Sequence, residues 1–224
     1  MPLILNIETS STVCSVCLAK DGKLIDFRQD EQGNSHARVL TVFIEDLMQK
    51  NDLEFDQLDA VAVSAGPGSY TGLRIGTSAA KGLCYALGKP LIAVPTLLAM
   101  ATGVAKTMNN TAAAFMPALD ARRMEIYTAV FDIAGNELLK TQAVIADPTL
   151  ANQLESFKEL FVFGSGAEKC KPVFTSANIR FIPGVICDAR YMAPISEQKA
   201  IAGQFEDLAY FEPAYLKEFG GKPL

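Results

Sequence analysis

The sequence predicts an α/β protein made of two related halves, and three observations carry that expectation. With 224 residues, half of them hydrophobic, the chain suits one large domain or two small ones at about 100–200 residues per domain. Short apolar strand patterns alternate with helical ones, which is the signature of layered α/β architecture. The opening plan also recurs. "ILNIETSSTVCSVCLAKDGKLI" and "FMPALDARRMEIYTAVFDIAGNELL" both read as an apolar strand, an acid in a short polar turn, a second strand, an Asp/Gly turn and a third strand. Glu8 and Asp120 hold corresponding places at the ends of the two first strands, which points to duplication of one supersecondary unit and to two halves facing each other across a cleft.

Strands are expected at Leu3–Ile7, Thr12–Leu18 and Lys23–Arg28, with Asp21-Gly22 as a hairpin signal. A helix follows from His36 to Gln49. Ser35 suits its N-cap, and Leu40, Phe43, Ile44, Leu47 and Met48 form its apolar stripe. "DAVAVSA" reads as a buried strand, Thr71–Leu87 as a helix, "PLIAV" as a strand and Thr96–Lys106 as a helix. The polar linker Lys106–Thr111 marks the expected boundary, giving halves 1–106 and 107–224, with a final segment of about 209–224 returning to the first half. Beyond the second strand-rich unit come a helix at Pro148–Phe157, the strand "LFVFG", the Gly-rich turn "GSGAEK" leading into a short helix, and a helix at Pro194–Ala202.

Composition excludes several chemistries. Lys plus Arg number 20 against 25 Asp plus Glu, a net charge of -5 with no basic run, which argues against autonomous nucleic-acid binding. His36 is the single histidine, so no two-His metal site forms within one chain, and its place at a helix start fits a helix terminus better than a catalytic triad. "MPLILNIETSS" reads as a strand rather than a signal peptide, and the apolar runs fall short of the roughly 18 residues of a membrane span, so a cytoplasmic protein without membrane contact is expected. Cys14 and Cys17 resemble a CxxC pair, but three places apart on a strand they point to opposite faces.

The stretch "SAGPGSYTGLR" lacks the Lys-Ser/Thr of a P-loop and the Gly-x-Ser-x-Gly of a nucleophile elbow. "GSGAEK" lacks the third glycine of a dinucleotide fingerprint. Two readings remain: backbone amides that meet an anion, or a turn that needs glycine's permissive backbone. The helix behind it carries only Arg74 and Lys81 as charges, with Gly72, Gly76 and Ala80 on one ridge. Helical glycines cost about 1 kcal/mol each against alanine, so Gly72, Gly76 and Gly82 ask for a close approach by another backbone. Leu73, Ile75, Leu83, Tyr85 and Leu87, with Val39 and Val42 on the preceding helix, leave little polar face, so either the chain's core or a partner covers these helices.

These segments, with "HARVLTVFIEDLM", "AVSAGPGSYTGLRIGTSAAKGLCYALGKPLIAVPTL" and the terminal "EPAYLK", resemble the bacterial TsaB (YeaZ) family over the first 130 residues and the last motif. The resemblance implies two ribonuclease-H-like halves of the actin, hexokinase and Hsp70 ATPase type (ASKHA). It implies a part in forming N6-threonylcarbamoyladenosine (t6A) at adenosine 37 of tRNA, as a non-catalytic subunit of a TsaD-type transferase that a TsaE-type ATPase joins. Homodimers are implied when the partner is absent, and tRNA is reached only through the complex. The partner contact implied is the bundle of helices 36–49 and 71–87, hence His36, Val39, Leu40, Phe43, Leu47, Gly72, Leu73, Ile75, Gly76, Ala79, Ala80 and Leu83. No catalytic residue, metal or cofactor of its own is implied, with ATP or ADP held at the complex interface. A phosphotransferase of the same fold is the competing expectation, with Glu8 and Asp120 as metal-site acids and "GPGS" and "GSGAE" as phosphate loops. The candidate nucleotide or anion residues are thus Glu8, Thr9, Ser10, Gly66, Gly68, Ser69 and Asp120. Glu8 departs from the aspartate usual in the family at that place, and its longer side chain shifts the carboxylate away from a metal-phosphate position. A peptidase reading, with Ser69 or a cysteine as nucleophile, lacks a base.

Overall fold

The computed structural model describes residues 1–32, 36–108 and 112–217. A three-stranded antiparallel meander opens the chain: β1 (Leu3–Glu8), β2 (Cys14–Lys20) and β3 (Lys23–Asp30). Asp21 and Gly22, at φ 54° and 64°, form the left-handed hairpin turn that the Asp-Gly pair announces. Then come α1 (His36–Lys50), β4 (Ala60–Ser64), α2 (Tyr70–Leu87), β5 (Leu91–Val94) and α3 (Thr96–Ala105). The plan repeats as β6 (Ala114–Asp120), β7 (Glu125–Phe131), β8 (Glu137–Ile145), α4 (Pro148–Leu154), β9 (Leu160–Phe163), α5 (Ala167–Cys170), β10 (Ile179–Ile182) and α6 (Ala189–Ile201).

The two sheets have the same topology. The first runs β3-β2-β1-β4-β5 and the second β8-β7-β6-β9-β10, each an antiparallel meander whose first strand continues into two parallel crossovers. This is the ribonuclease-H-like order, present twice, and it bears out the ASKHA fold class. The chain packs as two compact units: Met1–Ala99 with Cys187–Tyr215, and Met100–Ile186 with Leu216 and Lys217. The division falls within α3, whereas the expected linker lies partly outside the described residues. The return to the first unit begins at Cys187, earlier than the 209–224 segment read from the sequence, because α6 lies on the first sheet.

Both faces of the first sheet are covered. Leu5, Ile7, Val16, Leu18, Val61 and Val63 pack beneath α1 and α2, while Ile4, Cys17, Ala62, Ile92 and Val94 pack against Met192 and Ile195 of α6. Double coverage explains why β4 and β5 read as nearly continuous apolar runs, and why β1 is apolar on both faces except at the buried Asn6. Cys14 belongs to the first of these clusters and Cys17 to the second, so the two thiols lie on opposite faces, and all five cysteines are buried. In the second unit Met116, Ala118, Ile126, Val130 and Val162 pack with Leu150 and Leu154 of α4 and Cys170 of α5.

Helix α6 begins at Ala189, with the Asp188 side chain accepting from the Arg190 amide, and Pro194 stands inside it. The sequence reading put the helix start at that proline. Strand β10 was not anticipated, α4 stops at Leu154 short of Phe157, and the expected Ser35 cap lies outside the described residues. Among the described residues no helix is long and apolar enough to cross a membrane.

Candidate functional site

The glycine-rich turn and the end of β1 are built into each other within the first unit. Strand β1 ends in Glu8, and the following Thr9–Ser10 segment receives three glycines spaced by four. A Cβ on Gly68 would stand 2.3 Å from the Ser10 carbonyl oxygen, one on Gly72 2.1 Å from that of Thr9, and one on Gly76 2.2 Å from Thr9 Oγ1. Real side chains do not tolerate such distances, so each position requires glycine. The Ser69 amide donates to the Ser10 carbonyl at 2.6 Å, and Ser69 Oγ caps α2 by accepting from the Gly72 amide at 3.2 Å. Two amides at the start of α2, those of Ser69 and Gly72, are therefore bonded inside the chain.

The C-terminal segment holds the same turn from its other side. Gly66, at φ 92° and joined to Pro67 by a cis peptide, has no space for a side chain beside the Ala214 carbonyl. The Ala214 amide donates to Ala65 at 2.8 Å, the Tyr215 ring lies 4.6 Å from that of Tyr70, and the Arg74 guanidinium sits over Tyr70. Lys81 of α2 reaches the carbonyls of Ala209 and Phe211. These contacts give "EPAY" a structural role in fixing the start of α2.

Glu8 is 1% exposed and accepts from the Ser10 amide at 2.7 Å. Burial pushes its carboxyl above the usual carboxylate range; hydrogen bonds from Ser10 and Ser64 pull it down without cancelling that rise, and Asp188 adds to it. The same burial raises the Cys187 thiol to about 12, with Glu8 contributing. Gly68, Gly72 and Gly76 occupy the space over Thr9 and Ser10, and Glu8 is closed off from solvent. The first acid and first loop of the phosphotransferase expectation are thus a carboxyl buried at the end of β1 and a turn packed against Thr9 and Ser10.

The raised pKa fixes the sign of a pH effect. A carboxyl that holds its proton more tightly when folded contributes most stability below its unfolded pKa, and that contribution is lost as pH rises through the folded value. Glu8→Gln should therefore be more stable than the parent at pH 7–8, with the gap closing toward pH 4. Urea midpoints across that range test it; a gap that does not change with pH would uncouple Glu8 from stability.

Asp120, in the second unit, is half exposed and bonded to Lys169 at 2.5 Å. Partial burial alone would raise its pKa, but the bonds from Lys169 and from the Arg122 amide prevail and hold it below the usual range. A lysine of the chain itself thus holds the second acid. Gly164 and Gly166 repeat the glycine packing of the first unit, lying against the Ala118 and Leu119 carbonyls.

The predicted contact residues on α1 and α2 separate into two groups. Leu40, Leu47, Leu73 and Ala80 are buried in the first unit's core, and the Gly72–Gly76 ridge faces Thr9. The close backbone approach deduced for that ridge is real but comes from this chain's own turn, which corrects the expectation of a second chain there. His36 is half-buried, with Nε2 3.0 Å from the Ser11 carbonyl oxygen. Val39, Phe43, Ile75, Ala79 and Leu83 are only partly buried against the core. Beside them Val42 is 57% and Tyr85 84% exposed, and a side chain at Gly82 would meet nothing within 4 Å. Sequence reasoning asked for a close neighbour at Gly82 as at Gly72 and Gly76, although its spacing already places it off the Gly72–Gly76–Ala80 ridge.

Residues 30–210 match the family model described as TsaD, tRNA N6-adenosine threonylcarbamoyltransferase. The tRNA threonylcarbamoyladenosine biosynthesis protein TsaB of Escherichia coli (strain K12) is 28% identical over 220 residues, covering 96% of this chain and 94% of that protein. Its namesake from Bacillus subtilis (strain 168) is 30% identical over 156 residues, covering 70% of this chain and 66% of the other. The solved structure of YeaZ from Pseudomonas aeruginosa shares the fold, with a TM-score of 0.82 at 23% identity, covering 96% of this chain and 100% of that one.

Proposed function

The chain belongs to the TsaB (YeaZ) family, and from that premise we propose that it serves t6A biosynthesis as a non-catalytic scaffold and activator of a TsaD-type transferase. The observation that carries this reading is the α1–α2 face. Val39, Phe43, Ile75, Ala79 and Leu83 are partly covered by the core, with Val42 and Tyr85 largely exposed, and Gly82 sits mid-helix with open space over it. A glycine in a helix interior costs stability, and no described residue lies close enough to compensate at that position. A closely approaching partner helix supplies the compensation. The internally bonded Ser69 and Gly72 amides, the buried Glu8 and the Lys169-bonded Asp120 support a role without chemistry of its own.

In this reading the α1–α2 face binds the TsaD-type subunit, or a second copy of the chain when that subunit is absent. The TsaE-type ATPase joins the pair, the chain needs no cofactor of its own, ATP or ADP belongs to the complex interface, and the work is done in the cytoplasm. The test is t6A formed on unmodified tRNA by a matched TsaD-type partner, a TsaE-type ATPase and the adenylate-forming enzyme, with and without this chain. Product is expected only when the chain is present, and none from the chain without its TsaD-type partner. Equal product in its absence would remove the role.

A further inference from the structure

Two arginines at the β6–β7 turn have a geometry that the scaffold role does not use. Arg122 and Arg123 both adopt left-handed backbone, at φ 75° and 49°, a region where asparagine and glycine are at home and arginine is not. The turn is braced on every side. The Arg122 amide donates to Asp120 Oδ1 at 2.7 Å, the Glu125 amide to the Arg122 carbonyl at 3.1 Å and the Ala121 amide to the Glu125 carbonyl at 3.0 Å. Lys169 Nζ donates to the Arg123 carbonyl at 2.6 Å and to that of Glu125 at 3.1 Å. Strain held this firmly in non-glycine residues marks a place where the side chains matter.

The charges around the turn are sorted. Lys169 bonds to Asp120 and Lys217 to Glu125, so both acids of the turn already have a cation. Arg28, Arg180 and Arg190 sit in ion pairs and Arg74 lies over Tyr70, whereas Arg38 on α1 and the adjacent Arg122 and Arg123 are exposed and make no ion pair among the described residues. A chain with net charge -5 therefore presents two adjacent uncompensated guanidinium groups on a rigid hairpin tip, with the half-exposed Met124 beside them. Guanidinium forks match phosphate oxygens, and exposed placement on a hairpin tip suits a polyanionic strand better than an enclosed small ligand.

We propose that the Arg122–Arg123 turn contacts the phosphodiester backbone of tRNA in the assembled complex. The inference rests on the t6A reading above and adds to it a point at which this acidic subunit touches the RNA.

The experiment measures tRNA affinity of the complex with its TsaD-type partner as a function of salt, for the parent and for R122N/R123N. Asparagine tolerates the left-handed backbone, so the turn is kept. R122G/R123G, with the residue type that such φ values favour, serves as a second variant. Loss of two phosphate contacts should make the slope of log K against log salt shallower by about 1.4–1.8, and weaken binding roughly ten- to thirty-fold near 0.15 M salt. Both variants should still co-elute with the partner. Unchanged affinity and slope, with the parent chain still required for t6A, would overturn this contact and leave the reading beneath it standing. A parent chain dispensable for t6A would overturn both. Impaired ADP or ATP binding with tRNA affinity intact would assign the guanidinium groups to a nucleotide and likewise overturn the contact.

Discussion

Gly72→Ala should destabilise the protein by about 1–3 kcal/mol, as overpacking of a closed site does, lowering Tm by roughly 2–12 °C at about 2–4 °C per kcal/mol for a chain of this size. Alanine is the better helix former, so propensity alone predicts the opposite sign. The added methyl would stand 2.1 Å from the Thr9 carbonyl oxygen, a backbone atom of the β1–β2 turn that cannot swing aside. Gly76→Ala should cost less, because its contact is the Thr9 hydroxyl, although a β-branched side chain has few other rotamers. Gly82→Ala, with open space around it, should gain about 0.5–1 kcal/mol. The order Gly72, Gly76, Gly82, from loss to gain, is read from urea or thermal unfolding of three single variants. Three equal effects would show that the glycines answer to helix propensity and not to Thr9.

That ranking marks where the sequence stops being informative. The duplication was legible because strand patterning and Asp/Gly turns are local, and Glu8 and Asp120 do end β1 and β6 as their positions suggested. Helix starts were less so. Pro194 carries a helix-start signal, yet the true cap is Asp188, whose carboxylate accepts from the Arg190 amide at 2.8 Å; a cap and a proline six places apart compete for the same assignment. Strand β10 has four residues, none fully buried, so it shows no period to read. The small-residue ridge was visible, and the need for a close neighbour was sound physics. The neighbour was not visible, because Thr9 lies more than sixty residues before Gly72 and only the parallel pairing of β1 with β4 brings the β1–β2 turn under α2.

Gly82→Arg should abolish association with a TsaD-type partner, weakening it by roughly 100-fold or more, while the free chain stays folded and somewhat more stable than the parent. Both halves of that expectation come from one position. Gly82 is exposed and unopposed, so an arginine there has room and removes a helical glycine. It also shares a face with Ile75 and Ala79, at helical spacings of three and seven residues. If a partner helix lies on that face, the new charge is buried without a counter-ion at the contact, a change that typically costs about 3–5 kcal/mol. Gly82→Ala should bind as the parent does if the partner tolerates one methyl, separating bulk and charge from loss of glycine alone. Size-exclusion co-elution and a titration of partner affinity decide the matter. Without the partner, the same arginine should leave the chain monomeric in sedimentation, since two copies would use the same face. Retained heterodimer with the arginine in place would move the partner off α2, and the exposed Val42 and Tyr85 would then need a different occupant.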